Sequence, residues 1–294
     1  MGSAIYRLAF LRRGPVTRDV SDLDQVLPAF GRALRKAGVC SMVVNPRWSG
    51  DLADEAVHRL SALGAVTLPR GAQSIHRATL LVDLSGGPSD LAARLKSRCR
   101  RQISKCEKMG LEVRPAASLD EAMEFSPVLQ DFHRRRRLAM TNVPSVAQQW
   151  EMTRDRGVML LGRHEGRVIC GHSVIVEGDR AFWLSLASTD EPQDMPRNYS
   201  LIWAALLHAQ AQGLRWYDMA GGPSRNDAPK QETKGLMQDP GRIGRQQFKV
   251  AFDPVASELV PMMVIPLVRP VHAVLFSARQ RYRAIAGGGW RFAT

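Results

Sequence analysis

The sequence predicts an α/β layered fold, because segments with a strand pattern alternate with segments with a helix pattern along most of the chain. Two further observations support this class. Residues 158–163, 167–177 and 180–187 are strand-like runs joined by glycine-containing turns, which predicts a three-stranded antiparallel meander. Residues 80–110 join an apolar strand to a helix whose charges are almost all positive. The other elements can be placed around these two features.

The first part of the chain alternates between strands and helices. Gly38 closes the first helix, as a glycine after the last helical turn commonly does. The second helix is indicated by apolar residues at the spacing of one helix face. The predicted elements are a strand over 5–11, a helix over 23–37, a strand over 39–44, a helix over 52–63, and strands over 65–68 and 78–83.

One basic helix is predicted between Pro88, which suits a first helical turn, and Gly110, which suits a helix end. A narrow apolar stripe at spacings of three and four indicates the buried face. The stripe consists of Leu91, Leu95, Cys99, Ile103 and Cys106, and the remaining surface carries Lys96, Arg98, Arg100, Arg101, Lys105 and Lys108.

The rest of the chain continues the alternation. The predicted elements are a strand over 111–114, helices over 119–137 and 145–156, the meander, a helix over 198–212 and a strand over 216–219. Residues 223–244 form a long polar segment, which predicts a functional loop. Residues 259–285 are apolar first and basic afterwards, and prolines interrupt them, so they predict a C-terminal helix packed on the second domain rather than a membrane span. The alternative is a helix lying on a membrane surface.

The chain has 294 residues, 45% of them apolar, and a formal net charge of +13. This excess of positive charge predicts a polyanionic partner, for which tRNA, DNA, a nucleotide-linked substrate and an anionic membrane surface all qualify. A run of four arginines, Arg134 to Arg137, is either a solvated helix end or a phosphate contact.

The cysteines do not form a metal or disulfide pattern. Cys40, Cys99, Cys106 and Cys170 are scattered, with no CxxC pair, so reduced thiols are expected. The first residues lack the apolar core of a secretory signal, and no apolar run reaches the length of a membrane span. We therefore expect a cytoplasmic protein. The alternative is a cytoplasmic protein that contacts the inner face of the membrane.

Several short motifs, taken in their order and separations, carry a resemblance to a known family. They are LRRGPV (11–16), VVNPRW (43–48), DLSGG (83–87), RCRRQISKCEKMGLEV (98–113), NYSLIW (198–203), YDMAGG (217–222) and FKVAF (248–252). With these motifs the chain resembles the Fem (FemABX) family of aminoacyl-tRNA-dependent peptidyltransferases, which have tandem acyltransferase domains of the GNAT type.

The resemblance implies a tandem GNAT-like α/β fold, with a first domain over 1–85 and a second domain with a C-terminal extension over 86–294. Because LRRGPV lies close to residue 1, the first domain is expected to be truncated at its N-terminus. The implied activity is transfer of an amino acid from aminoacyl-tRNA to an amine of a peptidoglycan precursor, a related peptide or a small metabolite. Aminoacyl-tRNA is the co-substrate, and no metal or other cofactor is implied.

The resemblance also assigns candidate site residues. Phe248 and Lys249 match the family's Phe-Lys pair, with Lys249 near the developing oxyanion, where a fixed positive charge has most effect. Asp218 is a candidate general base, although a strand-end aspartate more often caps a turn. None of the seven histidines lies in a metal or nucleophile motif, and His172 on a strand is more typical of a core or surface residue.

Other residues are candidates for binding. Tyr199 and Tyr217 match positions that border the family's substrate channel, although both fit a core role equally well, and Asn198 is a further substrate-binding candidate. Arg13, Arg47 and Arg197 are candidates for phosphates of a nucleotide-linked or lipid-linked acceptor, since a guanidinium suits phosphate oxygens. The candidate tRNA contacts are Arg98, Arg101, Lys105, Lys108, Arg135 and Arg136.

Two other functions stay open at this point. An acyl-CoA-dependent N-acyltransferase of the GNAT type has the same element order, but such enzymes hold the pyrophosphate with a glycine-containing loop. The equivalent loop here, residues 190–196, is acidic and has no glycine. A protein that only binds nucleic acid or a membrane surface would use the positive charge without catalysis.

Overall fold

The computed structural model describes residues 7–69, 72–73, 76–136, 144–222 and 247–268. They fall into two compact units. The first unit contains the residues up to Thr79 together with residues 221–222 and 256–268, and the second runs from Leu80 to Ala220 and includes residues 247–255. The sequence placed the boundary after residue 85 and the end of the chain in the second domain. In the structure the division falls inside a strand, and residues 256–268 return to the first unit.

The first unit contains a four-stranded sheet in the order β1-β2-β11-β3. β1 and β2 are parallel, and β11 is antiparallel to both of its neighbours. Helices α1 and α2 bury leucines and alanines in the core of this unit. The elements are β1 (Arg7–Leu11), α1 (Leu23–Lys36), β2 (Val39–Val44), α2 (Asp51–Ala62), β3 (Val66–Thr67) and β11 (Met263–Pro266).

The prediction of a C-terminal helix on the second domain is wrong for the described part of that segment. Met263–Pro266 is a strand inserted between β2 and β3, and Met263, Val264 and Ile265 are buried there. Pro261 and Pro266 flank this short run and oppose a helix, so strand pairing is the available way to bury it. The basic part of the segment, with Arg279, Arg281 and Arg283, lies outside the described residues, as does the predicted loop over 223–244.

The larger sheet has seven strands in the order β10-β4-β9-β8-β7-β6-β5. β8 and β9 are parallel, whereas β6, β7 and β8 form the antiparallel meander that the sequence predicts. The elements along this part of the chain are β4 (Ala78–Asp83), α3 (Pro88–Arg94), α4 (Ser97–Lys108), β5 (Glu112–Pro115), α5 (Leu119–Met123), α6 (Ser126–Arg135), α7 (Val146–Thr153), β6 (Gly157–His164), β7 (Arg167–Glu177), β8 (Arg180–Ser188), α8 (Arg197–Ala211), β9 (Trp216–Asp218), a 3₁₀ helix (Val250–Phe252) and β10 (Val255–Glu258).

The predicted single basic helix is two helices, because the backbone is extended at Leu95 and Lys96. The break is hydrogen-bonded on both sides. The Lys96 amide donates to the Ala251 carbonyl at 3.1 Å, and the Arg100 guanidinium donates to the carbonyl of Ala93 at 3.3 Å. Apolar spacing alone did not reveal the break, since the same stripe continues across it.

The predicted helix over 119–137 is also two helices, α5 and α6. Pro127 lies in the first turn of α6, where its missing amide proton costs nothing. Phe125, at the junction, is fully buried against Gly171, where an added Cβ would lie 2.6 Å from the Phe125 ring. Packing of this ring therefore fixes where the chain turns.

The core of the second unit lies between α8, α4 and the sheet. α8 buries Leu201, Ile202, Ala205 and Leu206, and α4 buries the predicted face of Cys99, Ile103 and Cys106. Burial raises the pKa of the Cys99 thiol to about 12, so it stays protonated. Over the described ranges, the longest apolar helices fall short of the length and hydropathy required to cross a bilayer.

Candidate active site

The strands β8 and β9 separate near the middle of the large sheet. Their parallel pairing covers only Arg180 to Phe182 against Trp216 to Asp218. Beyond Asp218 the chain follows β4 instead, since the Met219 amide donates to the Leu80 carbonyl at 2.8 Å. Trp183 is the first residue of β8 past this pairing. The two strands therefore open between Trp183 on one side and Ala220 on the other.

Lys249 reaches both sides of this opening. Its Nζ donates a hydrogen bond to the carbonyl of Ala220 and lies 5.3 Å from the centroid of the Trp183 ring. An ammonium over an indole face is attracted by the ring electrons, and this attraction grows when water is partly excluded. Lys249 is half-buried, immediately before the 3₁₀ helix. The result is a fixed, partly desolvated positive charge.

Asp218 shapes the turn that holds Lys249. Its Oδ1 accepts a hydrogen bond from the Ala220 amide at 2.8 Å, and Ala220 has a positive φ of 54°. The side chain of Asp218 thus stabilises a left-handed backbone conformation that alanine rarely adopts by itself. Asp218 is buried, with 7% exposure. This geometry gives Asp218 a role in orienting the Ala220 carbonyl, in agreement with the capping alternative for this residue.

Tyr217 does not line a channel in this arrangement. It is fully buried, and its hydroxyl hydrogen-bonds to Nε2 of His172, which is also fully buried. Burial, and secondarily the nearby Asp218 carboxylate, raises the pKa of Tyr217 well above its ordinary value. The expectation that Tyr217 contacts substrate is therefore replaced by a core role.

Tyr199 and Phe248 belong to one aromatic cluster. Their ring centroids are 4.8 Å apart, and Phe252 lies 5.8 Å from Tyr199 and 5.4 Å from Phe248. Burial raises the pKa of Tyr199, and the nearby Arg98 opposes that shift. The neighbouring Asn198 is half-buried, and its Oδ1 has no hydrogen-bond partner among the described residues. The cluster thus joins the start of α8 to the Phe248-Lys249 pair.

Arg197 is engaged with the loop that precedes α8. Its guanidinium donates to the carbonyls of Thr189, Asp190 and Pro192, and the side chain is 5% exposed. Burial lowers the pKa of Arg197, and each carbonyl bond compensates part of that desolvation. The proposed phosphate contact for Arg197 is therefore replaced by a role in holding this loop.

Four cations of α4 form an exposed stripe. Arg98, Arg101, Lys105 and Lys108 follow one another at intervals of three and four residues, on the face opposite the buried cysteines. Among the residues described, none of the four makes an ion pair. Glu107 is the acidic residue that shares this helix. We call these four residues the α4 stripe.

The arginines at the end of α6 are arranged differently. Arg135 binds Asp131 at 2.6 Å, pairs with Asp190, and donates to the Ser188 carbonyl at 2.7 Å. Arg134 shares Asp131, and Arg136 is exposed, with its guanidinium 5.8 Å from the centre of the Phe132 ring. Arg137 lies outside the described residues. Arg135 is thus used inside the fold, which leaves Arg136 as the available cation of the two predicted tRNA contacts.

Arg13 and Arg47 lie in the first unit. They follow β1 and β2, which are parallel, so both sit at the same edge of that sheet. The Arg13 amide donates to Oδ1 of Asn45 at 2.9 Å, and both arginine side chains are half-buried. Arg13 and Arg47, the candidates for contact with acceptor phosphates, thus follow the same end of two neighbouring parallel strands.

Sequence reasoning missed Trp183 and Ala220, which both contact Lys249. Ala220 contributes a backbone carbonyl, which a sequence does not reveal. Trp183 carries only a weak signal, an aromatic residue on the last strand of the meander. In the described portion of the chain, no group of three or more histidine, cysteine or acidic side chains is arranged to hold a metal ion.

Part of the second unit is similar in sequence to a known domain family. A family model described as an acetyltransferase (GNAT) domain matches residues 93–227, which include α4, the meander, α8 and β9. No curated protein matches the sequence significantly.

Solved structures share the fold. FemX has a TM-score of 0.71 at 14% sequence identity, over 92% of this chain and 83% of FemX. L-PGS from Bacillus licheniformis has a TM-score of 0.62 at 14% identity, over 93% of this chain and 83% of that protein. The C-terminal domain of a putative lysylphosphatidylglycerol synthetase from Agrobacterium fabrum has a TM-score of 0.58 at 15% identity, over 88% and 77% of the two chains. The predicted α/β class is confirmed, and the chain has a Fem-like GNAT fold.

Proposed function

We propose that this protein is an aminoacyltransferase that moves an amino acid from aminoacyl-tRNA to an amine and forms an amide bond. The acceptor is a peptidoglycan precursor, a related peptide or a small metabolite. The observation that supports this most is the Lys249 ammonium, fixed between Trp183 and Ala220 where β8 and β9 separate. The Fem-like fold supports it further, because the chain resembles that tRNA-dependent family.

The reaction asks little of the protein chemically. The amine nitrogen attacks the ester carbonyl of the aminoacyl-tRNA, the C–N bond forms, and the C–O bond to the ribose breaks. The amine loses a proton, and the ribose oxygen leaves as a hydroxyl. Since the ester is already activated, the protein must mainly bring the reactants together and stabilise the oxyanion. A fixed ammonium such as that of Lys249 is suited to the second task.

Asp218 is proposed as a positioning residue rather than the base. One of its carboxylate oxygens holds the Ala220 amide, and the Ala220 carbonyl holds Lys249. The Asp218 carboxylate thus orients the Lys249 ammonium through Ala220. Phe248 is proposed to contribute to the aminoacyl end of the site through the aromatic cluster with Tyr199.

The α4 stripe is proposed to bind the tRNA. Its four cations extend over about 15 Å of helix, at a rise of about 1.5 Å per residue. The stripe begins near the aromatic cluster. Arg98 is close enough to Tyr199 to oppose the rise in its pKa, and the amide of the preceding Lys96 donates to the carbonyl of Ala251, which is next to Phe252 in the chain. An RNA strand that follows the stripe would thus bring its end close to Lys249. Exposed cations bind phosphates with release of counterions, so this contact is expected to weaken with salt.

No cofactor is proposed beyond the co-substrate aminoacyl-tRNA. A cytoplasmic location is proposed because charged tRNA is found there. Contact with an anionic membrane surface is proposed only as an accessory property, on the ground of the net charge of +13.

A second candidate is an acyl-CoA-dependent N-acyltransferase, which the match to the GNAT family model favours. The loop before α8 opposes it. Glu191 and Asp194 are exposed there, and their carboxylates would repel a pyrophosphate at the start of the helix. Calorimetry with acetyl-CoA decides between the two, since tight binding would favour the second candidate.

The proposal is tested by following the amino acid itself. Charged tRNA labelled in its amino acid is incubated with the protein and a panel of amines: a peptidoglycan precursor, a lysine-containing peptide and a free diamine. Label is expected in an amide product, and uncharged tRNA is expected to compete. Binding of tRNA without transfer to any amine, and without dependence on the attached amino acid, would instead support the non-enzymatic function.

A further inference from the structure

A buried pair of side chains, His172 and Tyr217, lies next to Trp183, whose ring contacts Lys249. His172 is on β7 and Tyr217 is on β9, and β8 lies between these strands in the sheet. Their hydrogen bond therefore reaches past the strand that carries Trp183. Both residues are fully buried, so neither is placed to touch a substrate.

The hydrogen bonds of His172 fix the position of its proton. Nδ1 lies 2.6 Å from the carbonyl oxygen of Ser185, which can only accept, so Nδ1 carries the proton. Nε2 must then accept, and the Tyr217 hydroxyl donates to it. Burial lowers the pKa of His172 to about 4, and burial keeps Tyr217 protonated as well. The pair thus has one arrangement at neutral pH.

Ser185, whose carbonyl accepts the hydrogen bond from His172, is itself anchored. The Ser185 hydroxyl donates to Oε1 of the fully buried Gln149, and the Ser173 hydroxyl donates to the same oxygen at 2.7 Å. The segment of β8 that follows Trp183 is therefore held by hydrogen bonds to residues of β7 and α7. A network in which each polar group is satisfied makes a rigid support.

Trp183 connects this network to the candidate site. Its ring lies edge-on to His172, with 5.2 Å between centroids, and Lys249 lies over the same ring. We infer that the Tyr217–His172 pair is a positioning device, which fixes Trp183 and thereby the Lys249 ammonium. This inference rests on the proposed function of Lys249 in the transfer.

The test is a double-mutant cycle on the single-turnover rate of label transfer. Tyr217→Phe removes one hydroxyl and keeps the ring. We expect it to lower the rate about fivefold to tenfold, with little change in the KM for aminoacyl-tRNA. In a Lys249→Met background the same change is expected to have no further effect, because the charge that the pair positions is gone.

His172 provides a second test if Tyr217→Phe fails to fold. The amide oxygen of His172→Gln can replace Nε2 as the acceptor for Tyr217, whereas His172→Asn cannot reach it. The glutamine variant is therefore expected to retain more activity than the asparagine variant, and thermal unfolding shows that the compared variants are folded.

The outcomes separate this inference from the proposed function. An equal loss from Tyr217→Phe with and without Lys249 would overturn the positioning role alone, as would equal rates for the two His172 variants. Unchanged transfer in Lys249→Met by itself would overturn the proposed role of Lys249 and the inference together.

Discussion

The two basic segments of the second unit look alike in sequence and differ in structure. The α4 stripe presents Arg98, Arg101, Lys105 and Lys108 to solvent with no ion pair among the described residues. At the end of α6, by contrast, Arg134 and Arg135 share Asp131, and Arg135 also binds Asp190 and a backbone carbonyl. A count of charges therefore overstates the surface available to a polyanion. The four cations of the stripe are exposed, whereas Arg135 is used inside the fold.

The comparison predicts its largest effect for the α4 stripe. Replacing its four cations together with alanine is expected to weaken tRNA binding about 10²-fold or more at physiological salt, and to reduce the slope of log K against log salt by about 3 to 4. Alanine favours the helix, so folding should be preserved. Binding is measured by fluorescence anisotropy over a range of salt concentrations.

A matched control variant loses four positive charges as well, but on a different surface. Arg18, Arg32, Arg35 and Lys36 are exposed cations of the first unit, and their replacement with alanine is expected to change affinity much less. Equal losses in the two variants would mean that net charge, and not the stripe, sets the affinity.

Arg135→Ala is expected to have the opposite profile. It removes the bonds to Asp131, Asp190 and Ser188, at a cost of about 1–2 kcal/mol in the free energy of unfolding. Calorimetry should show a fall in Tm of about 4 °C, whereas tRNA affinity should change less than twofold. A large loss of affinity with an unchanged Tm would return Arg135 to the RNA-binding surface.

The smallest effect concerns the pKa of Asp131. Arg135, and next Arg134, lower this pKa below the ordinary 3.8. A depressed carboxyl pKa stabilises the fold above the unfolded value, and this contribution is lost as pH falls through the folded pKa. NMR titration should find the pKa of Asp131 closer to 3.8 in Arg135→Ala than in the parent protein. An unchanged value would mean that the ion pair is not formed in solution.

Most elements of the fold could be predicted because local patterns determine them. The meander, the strand at Val39–Val44 and the buried face of α4 follow from alternation and helical spacing. Three features could not be predicted. The breaks at Leu95 and before Ser126 depend on capping and on packing of Phe125, and the pairing of Met263–Pro266 with β2 joins residues far apart in sequence.

The candidate site shows the same limit. The motif that resembles the Fem family indicated Phe248 and Lys249, and these residues lie together with Tyr199 near the opening in the sheet. Lys249 contacts a carbonyl in a left-handed turn and the face of a tryptophan on β8. Neither contact has a sequence pattern. Tyr217 lies in another Fem-like motif, and Arg197 was a candidate for its guanidinium chemistry, but their surroundings assign them to the core and to a loop.

The central claim is that the Lys249 ammonium stabilises the oxyanion of an aminoacyl transfer. The most direct measurement is the single-turnover rate of label transfer from charged tRNA in Lys249→Met, with Lys249→Arg as the variant that keeps the charge. Lys249→Met is expected to lose about 10²- to 10³-fold in rate, with tRNA affinity and Tm close to the parent values, and Lys249→Arg is expected to retain part of the activity. A rate in Lys249→Met equal to that of the parent protein would contradict the claim.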